Sequence, residues 1–112
     1  MLADYLVPGL IVGFIAWRLG SSLLARRRIP GLLQEGAQMV DVRSAAEFAS
    51  GHAQGSVNIP LPELDERMKE LDPGRWVIVC CASGTRSALA RHKLRRHGFA
   101  RVLNAGSWGN LP

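Results

Sequence analysis

The chain has 112 residues, enough for one small domain, and its 47% hydrophobic and 21% charged residues are ordinary for a folded protein. Its two cysteines, Cys80 and Cys81, are adjacent and cannot pair in normal disulfide geometry, which excludes a small disulfide-stabilised scaffold. The formal net charge of +5 suits contact with anions or an anionic surface, but no aromatic or groove-reading motif indicates nucleic acid.

The first segment of the chain predicts a membrane-spanning helix. Residues 5–25 contain one charge, Arg18, and as a helix they would extend about 31 Å, close to the hydrocarbon thickness of a bilayer. Two placements fit this pattern. Arg18 lies either within the span, with its side chain reaching toward the interface, or at the interface after a shorter span over residues 2–17. A cleaved signal peptide is a third interpretation, which the acidic Asp4 and the absence of a basic start disfavour.

The basic triplet after this segment, Arg26, Arg27 and Arg28, predicts its orientation. Arginines beside a span stay on the cytoplasmic side, so we expect a single-pass protein of the cell (inner) membrane with its folded domain in the cytoplasm. Membrane lipid is then one partner. Gly9 and Gly13 form a Gly-x-x-x-Gly pair through which two copies could associate as a homodimer.

A helix-breaking sequence, Ile-Pro-Gly at residues 29–31, follows the triplet and predicts a very short linker. The expected division is therefore residues 1–28, a transmembrane helix with a basic cytoplasmic flank, and residues 29–112, one folded domain. Because the linker is so short, we expect the domain to lie close to the bilayer surface.

The domain alternates strand and helix patterns, which predicts an α/β fold with a small parallel sheet flanked by helices on both faces. Expected strands cover residues 38–42, 56–59, 76–80 and 101–104. Expected helical segments cover residues 32–35, a short turn, and 44–50, 61–71 and 87–96. Ser44 and Glu47 form a capping box, and Ala88, Leu89 and Leu94 are expected to form the apolar face of the last helix.

The third strand and the last helix are joined by a segment with the pattern of a reactive cysteine: Cys81, Ala82, Ser83, Gly84, Thr85 and Arg86. The free amides and dipole of a helix start favour an anion, and Arg86 adds a permanent positive charge. Gly84 lets the backbone curl so that several amides point inward. We therefore expect a lowered pKa for the Cys81 thiol. Cys80 points the opposite way by strand alternation and is expected in the core.

This segment resembles the active loop of the rhodanese-like sulfurtransferases, which has the form Cys-x-x-Gly-x-Arg. Residues 40–48 and 51–61 resemble the two upstream signatures of that family, in the same order and at similar spacing. Residues 103–108 resemble its Gly-Gly…Trp ending, with Ala105 in place of the first glycine. The resemblance covers about residues 30–112 and implies a rhodanese-like fold.

The resemblance also implies a reaction that needs no metal or organic cofactor. The Cys81 thiolate would take the outer sulfur of thiosulfate or of a persulfide donor, and the resulting Cys81 persulfide would pass it to a thiol or to cyanide. Residues 82–86 would hold the anionic sulfur, with Arg86 helping to bind the donor.

Other polar residues have expected roles outside the chemistry. Asp41 ends the first strand at the carboxyl edge of the sheet, where it would border the site in a structural role. Arg43 and Glu47 are four residues apart and are expected to form an ion pair.

Two alternative functions stay open at this level. Counted from Cys80, the loop has the Cys-x5-Arg spacing of phosphatases of related fold, but Gly84 then falls four residues after the nucleophile and no His precedes it. The other alternative is a non-catalytic rhodanese-like module that binds a partner at the membrane.

Overall fold

The computed structural model of the chain describes residues 1–112, apart from the side chain of Ser22. In chain order the elements are α1 (Leu2–Gln34), β1 (Gln38–Asp41), α2 (Ala45–Ser50), β2 (Val57–Asn58), α3 (Leu64–Arg67), β3 (Val77–Cys81), α4 (Thr85–Arg96) and β4 (Val102–Ser107). Short 3₁₀ turns flank α3 at Leu61–Glu63 and Met68–Glu70, and a third covers Trp108–Asn110.

The four strands form one parallel sheet in the order β2-β1-β3-β4. All five residues of β3 are buried, as expected for a continuous apolar strand covered on both faces. The pairing of β3 with β4 contains a bulge, because Val79 lies opposite Asn104 whereas Cys80 lies opposite Gly106. This irregularity lies at the carboxyl end of the sheet, one residue from Cys81.

Helices cover both faces of the sheet, which confirms the predicted architecture. On one face, Val79 and Cys81 share a buried cluster with Ala90 and Leu94 of α4 and with residues of the α3 region. On the other face, Ile78 and Cys80 share a cluster with the last turns of α1. Adjacent residues of β3 alternate between the two clusters, so the prediction that Cys80 points away from Cys81 is confirmed.

The predicted helix break at residues 29–31 is wrong. Helix α1 continues through Pro30, and the expected short turn at residues 32–35 is instead its last turn. Ala25, Ile29 and Leu32 recur at i, i+4 and i+7 and are all buried against the sheet. The free energy gained by burying these side chains offsets the loss of the backbone hydrogen bond that Pro30 cannot donate. The predicted domain division at residue 28 therefore falls inside one continuous helix.

Two further helices differ from the sequence expectation. The predicted helix over residues 61–71 is divided into a 3₁₀ turn, one turn of α-helix and a second 3₁₀ turn. In α4, Leu89 is 54% exposed, and the residues that face the sheet are Ser87, Ala90 and Leu94. The predicted apolar face is therefore displaced around the helix axis from the buried face that the structure shows. The prediction relied on the hydrophobicity of Leu89 and gave no weight to the small residues Ser87 and Ala90.

Candidate active site

Cys81 is the last residue of β3, one residue beyond the predicted strand end, and it is 1% exposed. The connection to α4 is therefore short, since the helix already begins at Thr85. Gly84 makes this turn possible, because its φ of +102° lies in the left-handed region that favours glycine. A Cβ at Gly84 would also lie 3.2 Å from the Cα of Gly106, so the loop packs backbone to backbone against β4.

Hydrogen-bond donors surround the sulfur of Cys81. The Gly84 amide donates to Sγ at 2.9 Å, and the Ser87 hydroxyl oxygen lies 3.4 Å from Sγ. Burial raises the pKa of the thiol, but hydrogen bonds from the Ser87 hydroxyl and from the amides of Ser87, Gly84 and Ser83 outweigh it, so the pKa of Cys81 is lowered. The site can therefore hold a thiolate, the form of cysteine that acts as a nucleophile.

Asn104, on β4, connects the parts of this site through its side-chain amide. Its Oδ1 accepts hydrogen bonds from Ser87 Oγ at 2.6 Å and from the Gly106 amide at 2.9 Å. Its Nδ2 donates to the carbonyl of Gly84 at 3.2 Å. One side chain thus joins the loop, the first turn of α4 and the bulged end of β4.

Arg86, in the first turn of α4, is paired with a carboxylate on a different helix. Its Nη1 and Nη2 donate to the two carboxylate oxygens of Glu47 at 2.7 and 3.0 Å. This bond, with a further bond from the Ser44 amide, lowers the pKa of Glu47 to about 2. The predicted capping box of Ser44 and Glu47 is confirmed, whereas the predicted ion pair of Glu47 with Arg43 is wrong.

Arg43 instead forms a buried pair with Asp41. Its Nη2 lies 2.7 Å from Asp41 Oδ2, and the same atom donates to the carbonyl of Gly51 at 2.6 Å. Its guanidinium carbon also lies 4.8 Å from the centre of the Trp108 ring. In the sheet Asp41 is opposite Cys80, beside the strand that carries Cys81. The carboxylate of Asp41 is fully engaged with Arg43, as a structural role requires.

The predicted site residues differ in how close they lie to the sulfur of Cys81 and in how exposed they are. The backbone of Gly84 faces Cys81, whereas the side chains of Ala82, Ser83 and Thr85 are exposed. Arg86 lies at the edge, with its side chain 38% exposed and held by Glu47. Of the predicted loop residues 82–86, the structure thus brings the amides of Ser83 and Gly84 to the sulfur, and it pairs Arg86 with Glu47, a partner that the sequence did not predict.

Cys80 differs from Cys81 in the face of the sheet on which it lies and in the pKa of its thiol. It is fully buried on the α1 face of the sheet, and burial, with a smaller effect of the Asp41 charge, raises its pKa to about 12. A thiol with this pKa is not ionised at neutral pH, which argues against the phosphatase interpretation that counts the loop from Cys80.

Sequence reasoning missed three residues of the site: Ser87, Asn104 and Glu47. Asn104 carries a usable signal, because it is a polar residue at the carboxyl end of the strand predicted over residues 101–104, where parallel sheets place their functional groups. Ser87 was predicted to lie where the reactive segment meets the last helix, with no bond to the sulfur. The pairing of Glu47 with Arg86 joins residues 39 positions apart and had no local signal.

The fold and the site together define a class: small parallel α/β domains that carry a low-pKa cysteine in an amide-lined loop after the central strand. Comparison with known proteins narrows this class. The family description "Rhodanese-like domain" matches residues 28–108. The chain therefore belongs to the rhodanese-like family, as its sequence motifs predicted.

Several relatives are named as sulfurtransferases. The chain is 38% identical over 69 residues to the thiosulfate sulfurtransferase PspE of Escherichia coli, covering 60% of this chain and 66% of that protein. It is 37% identical over 70 residues to a sulfurtransferase of Allochromatium vinosum, covering 62% and 65%. The chain thus spans slightly less than two thirds of either relative. An uncharacterised Bacillus subtilis protein, YqhL, is 30% identical over 110 residues, covering 92% of this chain and 87% of its own length.

Solved structures agree with this assignment. A rhodanese from E. coli, solved with anions, superposes with a TM-score of 0.64 at 34% identity, covering 68% of this chain and 94% of that one. A human single-domain sulfurtransferase, TSTD1, also has a TM-score of 0.64, at 27% identity, covering 75% and 88%. The chain is a member of the rhodanese-like sulfurtransferase family.

Proposed function

We propose that this protein is a membrane-anchored sulfurtransferase that carries sulfane sulfur as a persulfide on Cys81. The observation that carries the proposal is the bond from the Gly84 amide to Cys81 Sγ, within a site that lowers the pKa of this thiol. We propose thiosulfate or a small persulfide as the donor and a thiol or cyanide as the acceptor. The name of the E. coli relative supports thiosulfate as the first donor to test.

The proposed reaction has two displacement steps. In the first, the Cys81 thiolate attacks the outer sulfur of thiosulfate. A new S–S bond forms, and the bond to the central sulfur breaks with its electron pair leaving on sulfite. In the second, the acceptor thiolate or cyanide attacks the outer sulfur of the persulfide, and Cys81 leaves again as a thiolate.

The chain's own groups support each charged state in this cycle. The amides of Ser83, Gly84 and Ser87 lower the pKa of the Cys81 thiol, and we propose that residues 82–86 hold the anionic persulfide in the same way. Arg86 has N–H donors beyond the two that Glu47 accepts, and we propose that these bind the anionic donor.

We further propose that α1 anchors the protein in the cell membrane, with the domain on the cytoplasmic side. Within the described part of the chain, this one helix is long and apolar enough to cross a bilayer. Tyr5, Phe14 and Trp17 are 77%, 57% and 67% exposed, and a bilayer would cover such side chains. Nothing lies within 4 Å of a Cβ built at Gly9 or Gly13, which leaves room for a second helix and supports the proposed homodimer.

Intact-protein mass spectrometry after thiosulfate treatment tests the chemistry. We expect a gain of one sulfur atom in the detergent-solubilised protein and in Cys80→Ser, and no gain in Cys81→Ser. No gain from thiosulfate or another sulfane donor in a folded protein with a reactive Cys81 would contradict the proposal. Hydrolysis of an aryl phosphate by the same protein would then favour the phosphatase.

Labelling in intact cells tests the orientation. A membrane-impermeant thiol reagent should reach Cys81 only after lysis, because the proposed site is cytoplasmic. Labelling of Cys81 in unbroken cells would place the domain outside and contradict the orientation, without bearing on the persulfide chemistry.

A further inference from the structure

Helix α1 connects the proposed membrane segment to the sheet without a break. Among the described side chains of α1, the first buried one is Ala25, which is 9% exposed, and Ile29 and Leu32 follow on the same face at 1% and 7%. These three residues share a buried cluster with Ile78 and Cys80 of β3. The helix is thus held against the sheet over its last ten residues, and its direction there is also the direction in which residues 2–24 leave the domain.

The end of α1 lies at the amino end of the sheet. Three residues separate it from β1, and the amides of Gly36 and Ala37 bond back to the carbonyls of Leu33 and Leu32 at 3.0 Å each. Because all four strands are parallel, a helix that ends where β1 begins runs antiparallel to them. Arg28 agrees with this direction, since its guanidinium lies 4.9 Å from the ring centre of Trp76, directly before β3.

Tracing α1 backward therefore leads to the carboxyl end of the sheet. From the end of the helix back to Ala25 is about 14 Å, close to the distance of about 13 Å between the first and last residues of β3, which are four steps of about 3.3 Å apart. Residues 2–24 thus project beyond the carboxyl end, the end at which Cys81 and its loop lie. The overall extents of 55 × 29 × 29 Å agree with a domain that is extended in one direction by this helix.

We propose that the carboxyl end of the sheet, including the Cys81 loop, is the surface of the domain that faces the phospholipid headgroups. This inference rests on the membrane anchoring proposed above. From Trp17, the last apolar residue before Arg18, to Ala25 is about 12 Å along the helix, which places the loop within or just outside the headgroup layer. Sulfur exchange at Cys81 then takes place at the membrane surface.

The side chains at this end fit such a surface. Ala82, Ser83 and Thr85, which are exposed beside Cys81, carry no charge, so the loop can approach headgroups without losing hydration of an unpaired ion. Arg26 and Arg27 are exposed just after the projecting segment and can contact anionic headgroups.

Two labelling positions on α4, one in its first half and one at its last residue, distinguish the two ends of the domain. Leu89 and Arg96 are both exposed and are about 10 Å apart along the helix axis. Each is replaced by cysteine in a full-length Cys80→Ala, Cys81→Ser background, labelled with bimane, and reconstituted in vesicles of phosphatidylcholine and phosphatidylglycerol. The quencher is a nitroxide on the phosphatidylcholine headgroup.

We expect the label at position 89 to be quenched severalfold more strongly than the label at position 96. Equal quenching, or stronger quenching at position 96, would overturn the inference. If the cysteine-free background folds poorly, the native tryptophans provide a second readout. In Trp17→Phe chains that retain only Trp108 or only Trp76, quenching should be stronger for Trp108, and the reverse order would again overturn the inference.

Anchoring itself is measured on the same vesicles by an alkaline carbonate wash. A protein that stays with the vesicles but shows the reverse order of quenching contradicts the orientation alone. A protein that washes off contradicts both the proposed anchoring and this inference.

Discussion

The hydroxyl of Ser87 donates its hydrogen bond to Asn104 at 2.6 Å, while its oxygen lies 3.4 Å from Cys81 Sγ. A hydroxyl has a single proton, so in this arrangement a neutral Cys81 thiol can donate to Ser87. When Cys81 ionises, the hydroxyl can turn toward the thiolate, which leaves Asn104 Oδ1 with the Gly106 amide as its donor. The contact between Ser87 and Asn104 therefore links the charge on Cys81 to the packing of α4 against β4.

Replacing Ser87 with alanine should raise the pKa of Cys81. The change removes the hydroxyl that can donate to the thiolate, and a hydrogen bond to a charged group is worth about 1.5 kcal/mol, or about one pKa unit. The measurement is the rate of alkylation of Cys81 as a function of pH. His92→Ala, an exposed change on the same helix, is the control and should leave the midpoint unchanged. An unchanged midpoint in folded Ser87→Ala would mean that the hydroxyl stays on Asn104.

Gly84→Ala and Gly98→Ala form a matched pair, because both glycines have positive φ angles, +102° and +94°. Around Gly98 there is open space, so its replacement should cost about 1 kcal/mol in the free energy of unfolding and leave the reactivity of Cys81 intact. Gly84→Ala should cost more and slow alkylation of Cys81, because the new methyl group would displace the Gly84 amide from Sγ. Urea unfolding and alkylation rates are the measurements. Equal effects of the two substitutions would contradict the close packing of Gly84 against Gly106.

Much of the fold could be predicted because its signals are local. Strand β3 is a continuous apolar run, and the Ser44 and Glu47 cap depends on residues three apart. The reactive loop could be predicted for the same reason, since a strand, a cysteine, a glycine and a helix follow one another directly in the chain. These features need no knowledge of which elements lie side by side.

The errors came from contacts between elements distant in the chain. Pro30 stays inside a helix because Ile29 and Leu32 are buried against the sheet, a packing gain that a local breaker rule does not contain. Arg86 is held by Glu47, which becomes its neighbour only when α2 and α4 meet. Asn104 reaches the site because β4 pairs with β3.

The buried pair of Asp41 and Arg43 should matter for stability rather than for chemistry. Asp41 is fully buried and its carboxylate accepts several hydrogen bonds from Arg43, so Asp41→Asn leaves a buried guanidinium without its counterion. We expect a loss of about 3 kcal/mol in the free energy of unfolding, measured with urea.

Asp65→Asn is the matched control for this prediction, because it breaks an ion pair with Lys93 in which both side chains are substantially exposed. It should cost less than about 1 kcal/mol. Persulfide formation should persist in the folded fraction of Asp41→Asn. Persulfide loss in that fraction would indicate a direct role for Asp41 in the site.

The bond between Glu47 and Arg86 should make part of the stability pH-dependent. Arg86 holds the pKa of Glu47 at about 2 in the folded protein, below its ordinary value of about 4.3 in an unfolded chain. A carboxyl group with a lowered folded-state pKa stabilises the fold fully above the unfolded value. That contribution is lost as the pH falls through the folded value.

Glu47→Gln should therefore unfold at lower urea concentration than the native chain near neutral pH. The difference between the two urea midpoints should narrow as the pH falls from about 4.3 toward about 2. Glu66→Gln, which changes an exposed carboxylate on α3, is the control for charge alone. A gap between the urea midpoints of Glu47→Gln and the native chain that stays constant over this range would contradict a lowered pKa of Glu47 in the folded protein, and with it the stabilisation of its carboxylate by Arg86.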